Sequence, residues 1–228
     1  MSRILAALGV AALATSACTV PAFAESAVAT PAAKTVAAEG AGGKGGLKTA
    51  VFAGGCFWGV EGVFSHVKGV TSAVSGYHGG AASTATYKRT NDGNTGHAEA
   101  VRVTYDPAVV RYDQLLRIFF AVVTDPTELN RQGPDRGTQY RNALVPLSPE
   151  QAKVAAAYLA QLKTAKLWSK PLVTRVEAYK AFYPAEAYHQ DFMAVNPNHG
   201  YIRMWDAPKV AALKKLFPTQ YRAAFKAG

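Results

Sequence analysis

The chain has 228 residues, 49% of them hydrophobic, and a formal net charge of +10 from 25 Lys and Arg against 15 Asp and Glu. The basic residues stand singly along the chain, without the runs or interleaved aromatics of a nucleic-acid face, so the charge is that of a solvated basic surface.

Arg3, the apolar stretch Ile4 to Ala14 and the small-residue pattern Ala22-Phe23-Ala24 predict a secretory signal peptide over 1–24, cut after Ala24, and a periplasmic or secreted product. That apolar stretch is shorter than the roughly 20 residues a bilayer span requires, and no later segment has the pattern of a membrane span. Lipoprotein anchoring at Cys18 fits less well, because Thr15 stands where such sites usually carry Leu. Residues 25–46 are Ala, Gly, Lys and Thr with almost no large apolar side chain, which predicts a flexible linker. A single domain with a proper core then spans 47–228.

Removal of 1–24 leaves Cys56 as the one cysteine of the mature chain, in a compartment where structural cysteines come in pairs. An unpaired thiol there is either a buried bystander or a reagent. Lys48 to Ala53 form a predicted strand, Gly54-Gly55 break it, and Trp58, Glu61, Val63 and Phe64 recur at helical spacing. Cys56 therefore falls at a helix N-terminus, whose free N–H groups and partial positive charge are expected to lower its pKa. An ordinary glycine turn would explain the same residues.

Gly96 to Tyr105 alternates as a half-buried strand, with Glu99 in phase with Val101, Val103 and Tyr105. A carboxyl on that apolar side is expected to have a raised pKa and to serve as a proton donor near neutral pH. A wet position at the strand's start, or an Arg partner, would leave it an ordinary carboxylate. Tyr112 to Val123 follows as an amphipathic helix, then a polar loop from Thr124 to Thr138 and a strand over Gln139 to Val145. Ser148-Pro149-Glu150-Gln151 opens a long helix with a capping box, Leu172 to Ala178 is a strand, Ala185 to Met193 is a turn of helix, and Lys209 to Phe217 is a terminal helix. Strands mixed with helices, without a dinucleotide or Walker pattern, give an α+β sandwich with no nucleotide site. The five histidines lack metal-ligand spacing, so neither a metal nor a bound cofactor is expected.

The motifs Gly55-Cys56-Phe57-Trp58-Gly59 with Glu61, Ser75-Gly76-Tyr77-His78-Gly79-Gly80, Thr95-Gly96-His97-Ala98-Glu99 and Asp125-Pro126-Thr127 occur in order. So do Asn130-Arg131-Gln132-Gly133, Asp135 with Gly137-Thr138-Gln139-Tyr140-Arg141, and Phe182-Tyr183-Pro184-Ala185-Glu186 with Tyr188-His189-Gln190. Together they resemble the peptide methionine sulfoxide reductase A family over Leu47 to Phe217. The resemblance implies a two-layer sandwich around a mixed sheet with a ferredoxin-like core. It also implies reduction of the S epimer of methionine sulfoxide, with oxidised proteins as substrates; nothing in the sequence suggests an obligate interface, so a monomer is expected.

In that reading Cys56 attacks the sulfoxide sulfur, Glu99 protonates the oxygen, and Tyr77 and Tyr140 donate hydrogen bonds to it. Phe57 and Trp58 cage the S-methyl group, Asp135 orients the substrate, and Glu61 and His189 support them. Many members carry resolving cysteines after a Gly-Tyr, whereas Ile202 follows Gly200-Tyr201 here and no cysteine comes later. The sulfenic acid left on Cys56 is therefore expected to be reduced by a thioredoxin-like protein or a small thiol. Thr124 stands where the family usually has His before Asp-Pro-Thr.

Overall fold

The computed structural model describes residues 27–40 and 46–228, so the predicted signal peptide lies outside the described residues. β1 (Lys48–Gly54) turns at Gly55 into α1 (Phe57–Ser65), and the chain returns as β2 (Val70–His78). A short α2 (Tyr87–Thr90) leads to β3 (Ala98–Tyr105), and α3 (Tyr112–Ile118) runs on into a π-helical turn over Phe119–Val123. A small hairpin of β4 (Arg131–Gln132) and β5 (Asp135–Arg136) precedes β6 (Asn142–Val145) and α4 (Pro149–Ala165). β7 (Arg175–Val176), β8 (Phe182–Pro184), α5 (Phe192–Val195) and α6 (Ala207–Leu216) follow.

The main sheet runs β7-β6-β1-β3-β2-β8. Its pairings are antiparallel except β6 with β7. The central order β6-β1-β3-β2, with α1 and α3 as the crossovers, is the ferredoxin-like arrangement in a mixed sheet, as expected. One face carries the thick core, where Phe52 of β1 stacks on Phe64 at 4.8 Å and on Phe119 at 5.4 Å between ring centroids. Small residues on the other face, Ala53, Ala98, Ala100 and Ala143, make a thinner cluster with Val51, Val145 and Phe182. Glu99 shares the thick side with Val101, Val103 and Tyr105, and only 3% of it is exposed.

Several boundaries differ from the expected ones. β2 carries Thr71, Ser72, Ser75 and Gly76, so its apolar alternation is weak; pairing with both β3 and β8 makes it a strand. The segment 139–145 begins as a tight 3-10 turn, Thr138–Tyr140, because Gly137 takes φ 129°, and extended structure starts at Asn142. The strand expected over 172–178 shrinks to the two residues of β7 at the sheet edge. At α4 the cap forms as predicted, with the Gln151 amide donating to Ser148 Oγ at 3.1 Å.

The linker expectation fails for residues 27–39, which lie along the outside of α3 and α4. The Val28 amide donates to the Ala121 carbonyl at 2.9 Å, and Arg117 Nε to the Thr30 carbonyl at 2.9 Å. Tyr158 donates to the Pro31 carbonyl at 2.8 Å, the Ala37 amide to Asp113 at 3.1 Å, and Tyr105 to Glu39 at 2.7 Å. Backbone and polar bonding hold this strap, so a composition poor in large apolar residues does not leave it free.

Candidate active site

Cys56 caps α1 where β1 ends, as the glycine break predicts. Gly55 sits at φ 94°, and a Cβ there would lie 2.6 Å from Gln132 Cβ, so only glycine fits. Gln132 in turn fixes the loop after the π-helical turn. Its side chain accepts from the Asp125 amide at 2.9 Å and donates to the Asp125 carbonyl at 2.8 Å. The close approach that the glycines permit is thus taken by this loop.

The expected fall in the Cys56 pKa does not occur. Burial pushes the thiol well up, the carboxyls of Glu99, Asp206 and Asp135 push the same way, and the Trp58 amide opposes them weakly. The helix end is real, but desolvating an anion outweighs a fraction of a charge. The resting side chain is a neutral thiol that is 8% exposed.

Glu99 meets this thiol from β3. Its Oε2 accepts from the Phe57 amide, the residue next to Cys56, at 3.0 Å. Burial, opposed by that amide and reinforced by Asp135 and Asp206, raises its pKa to about 8. A carboxylic acid therefore stands beside a thiol at neutral pH, an arrangement suited to delivering a proton to an oxygen that leaves.

Around the pair lie aromatic rings. Phe57 is buried and Trp58 half-buried; the Trp58 indole stacks on Phe192 at 3.7 Å and donates to His189 Nδ1 at 3.0 Å. Burial lowers the His189 pKa, so the ring stays neutral and holds the indole as an acceptor. Tyr140 reaches Asn91 Oδ1 at 3.4 Å, and Asp135 accepts from the Tyr201 hydroxyl. Burial and then the nearby Glu99 push the Tyr140 phenol up, so it remains an O–H donor. Among the described residues no group of His, Cys, Asp or Glu is arranged to hold a metal ion.

The family described as peptide methionine sulfoxide reductase matches residues 48–221 of this chain. The chain belongs to that family. A Mesorhizobium japonicum protein named peptide methionine sulfoxide reductase MsrA 2 is 56% identical over 176 residues, covering 77% of this chain and 90% of its own. A Synechocystis relative of the same name is 47% identical, covering 78% and 83%. Reduced Mxr1 from Saccharomyces cerevisiae superposes with a TM-score of 0.60 at 34% identity, covering 67% of this chain and 87% of that one. Methionine sulfoxide reductase A of Corynebacterium diphtheriae gives 0.56 at 34% identity, covering 68% and 77%. The protein is an MsrA oxidoreductase that reduces methionine sulfoxide and so repairs oxidised protein.

Within this MsrA fold, two sequence-based assignments need correction. Tyr77 does not offer its phenol to the Cys56–Glu99 pair, because its hydroxyl donates to Glu186 Oε2 at 2.7 Å. Tyr87, which no motif singled out, lies close enough to Glu99 and Cys56 to feel their charges. Burial, then Glu99 and Cys56, push its phenol up, and its ring lies 4.4 Å from that of His189. It sits in the polar stretch between β2 and β3, where hydrophobic period gives no signal. Thr124 is 5% exposed, and its hydroxyl donates to Asn142 Oδ1, a role in bracing the loop.

Glu61 is the second correction. It faces Ser75 and the Asp191 backbone rather than the Cys56 pocket, and their polar groups offset its burial only in part. Burial raises its pKa to about 8 from a reference of 4.5. The folded chain therefore keeps a proton that the unfolded chain releases, and this contribution to stability is lost as pH rises toward 8. Glu61→Gln is expected to gain on wild type by about 1.4 kcal/mol per pH unit up to about pH 8, and then level off. Urea denaturation of both proteins at several pH values between 6.5 and 9 checks this; a pH-independent difference would show that Glu61 is charged throughout.

Proposed function

We propose that this enzyme reduces the S epimer of free or peptide-bound methionine sulfoxide through a sulfenic acid on Cys56, in the cell envelope. The observation that carries the reading is the buried carboxyl of Glu99, bonded to the amide beside the one thiol among the described residues. In the proposed step Cys56 Sγ attacks the sulfoxide sulfur while Glu99 gives its proton to the oxygen and takes up the thiol's; the hydroxyl then passes from the substrate sulfur to Sγ as the transient Sγ–S bond breaks. Sulfoxide and thiol become methionine and Cys56 sulfenic acid, with no net proton released. Tyr87 and Tyr140 donate to the oxygen as it gains charge, and Phe57 and Trp58 receive the S-methyl group.

Because Ile202 follows Gly200-Tyr201 and no cysteine comes later, an external thiol then attacks the sulfenic acid. That step expels water and leaves a mixed disulfide, which a second thiol resolves. A thioredoxin-like protein or a small thiol fits this role. The signal-like pattern over 1–24 supports export, where such a donor would be periplasmic or extracellular.

A single turnover without reductant tests the reading. About one equivalent of methionine per chain is expected from the S epimer and none from the R epimer, with a dimedone adduct appearing on Cys56 and no product from Cys56→Ser. Two equivalents per chain, or an internal sulfenamide as the obligatory species, would overturn it.

A further inference from the structure

Glu186 is half-buried on the segment between β8 and α5, and it takes no part in the proton transfers described above. Its two carboxylate oxygens bind different elements. Oε2 accepts from the Tyr77 hydroxyl of β2 at 2.7 Å, and Oε1 accepts from the backbone amide of Tyr87 at 2.9 Å. Tyr87 is the first residue of α2, a helix of four residues that has too few internal bonds to hold its own place.

The next residue after α2, Asn91, accepts from Tyr140, and its carbonyl accepts from the Gln139 side chain. One carboxylate therefore ties the start of α2 to a buried phenol on the sheet, while the other end of α2 meets the second phenol of the site. Without that tie, the start of α2 is held by the Tyr87 ring against His189 and by the contacts of Asn91 at its other end.

We infer that Glu186 is a positioning residue for catalysis, pinning the first amide of α2 to the sheet so that the Tyr87 phenol points at the sulfoxide oxygen. The inference rests on the proposed role of Tyr87. Tyr77 serves as the anchor: rigid, buried and fully committed to Glu186.

A double-mutant cycle on the full enzyme, with kcat and KM measured at pH 7, tests it. Tyr87→Phe is expected to lower kcat roughly 10- to 100-fold. Glu186→Ala is expected to lower kcat by a comparable factor with KM little changed, and to add less than about twofold in the Tyr87→Phe background. Glu186→Gln, which keeps an oxygen for the Tyr87 amide, recovers most of the loss. Should the alanine variant not fold, Glu186→Asp supplies the cycle, because its shorter arm cannot span both donors.

Equal losses from Glu186 variants in both backgrounds, or wild-type kcat in Glu186→Ala, would overturn the positioning role. A Tyr87→Phe variant with wild-type kcat would overturn the role given to Tyr87, and the inference with it.

Discussion

Glu99→Gln is expected to lower kcat for methionine sulfoxide by roughly 10²- to 10³-fold, with KM changed far less. Gln keeps the shape and can still meet the Phe57 amide through its oxygen, but it carries no proton to give. The pH profile separates this from a simple packing effect. Glu99 is the acid only while protonated, so the wild-type rate should fall as pH rises through about 8. In the Gln variant that descending limb should vanish or move to the titration of another group. The same ionisation works against Cys56, since a charged Glu99 makes the thiolate costlier still. Retention of the wild-type profile in Glu99→Gln would assign the proton to another donor.

Starting the chain at Leu47 is expected to cost at least about 3–5 kcal/mol, taking roughly 0.6–1 kcal/mol for each of the five hydrogen bonds between 27–39 and the domain described above. For a domain of this size that corresponds to a fall in Tm on the order of 10 °C. Part of the cost comes from buried partners left with fewer bonds. Asp113 is 4% exposed and would lose the Ala37 amide, and Tyr105, buried, would lose Glu39. None of these groups lies in the Cys56 pocket, so kcat at 20 °C should not change. An unchanged melting temperature would mean that the strap merely rests on the domain. Thermal unfolding followed by circular dichroism, on the full and shortened chains, decides between them.

The legible parts of this molecule were those with strong periodicity or strong local rules. The parity of Glu99 with Val101 and Val103 placed a carboxyl on the core side before any contact was known. Gly54-Gly55 marked the turn that presents Cys56, and Ser148-Pro149 marked the start of α4. β2 escaped because its serines and threonines are acceptable only beside two paired neighbours, which is a fact of tertiary structure. The strap escaped because its composition predicts weak burial, whereas hydrogen bonds to α3 and α4 hold it.

At the site, the limits have the same origin. Tyr77 sits in a memorable motif but spends its hydroxyl on Glu186, a contact made across 109 residues of chain. Tyr87 sits in an unremarkable polar stretch yet meets the pair. The direction of the Cys56 shift depended on the balance between a helix end, visible in sequence, and burial among three acids, visible only in three dimensions.

The neutral, recessed thiol has a consequence for the idle enzyme. Peroxide reacts with thiolates, so a cysteine held as thiol at 8% exposure is a slow target for it. A sulfoxide that enters the pocket brings its own oxygen to Glu99, and with it the circumstances under which the thiol can give up its proton. The catalyst is thus armed by its substrate and insulated from the bulk oxidants that create that substrate, which lets a domain with no cysteine after Cys56 endure the conditions that call for it.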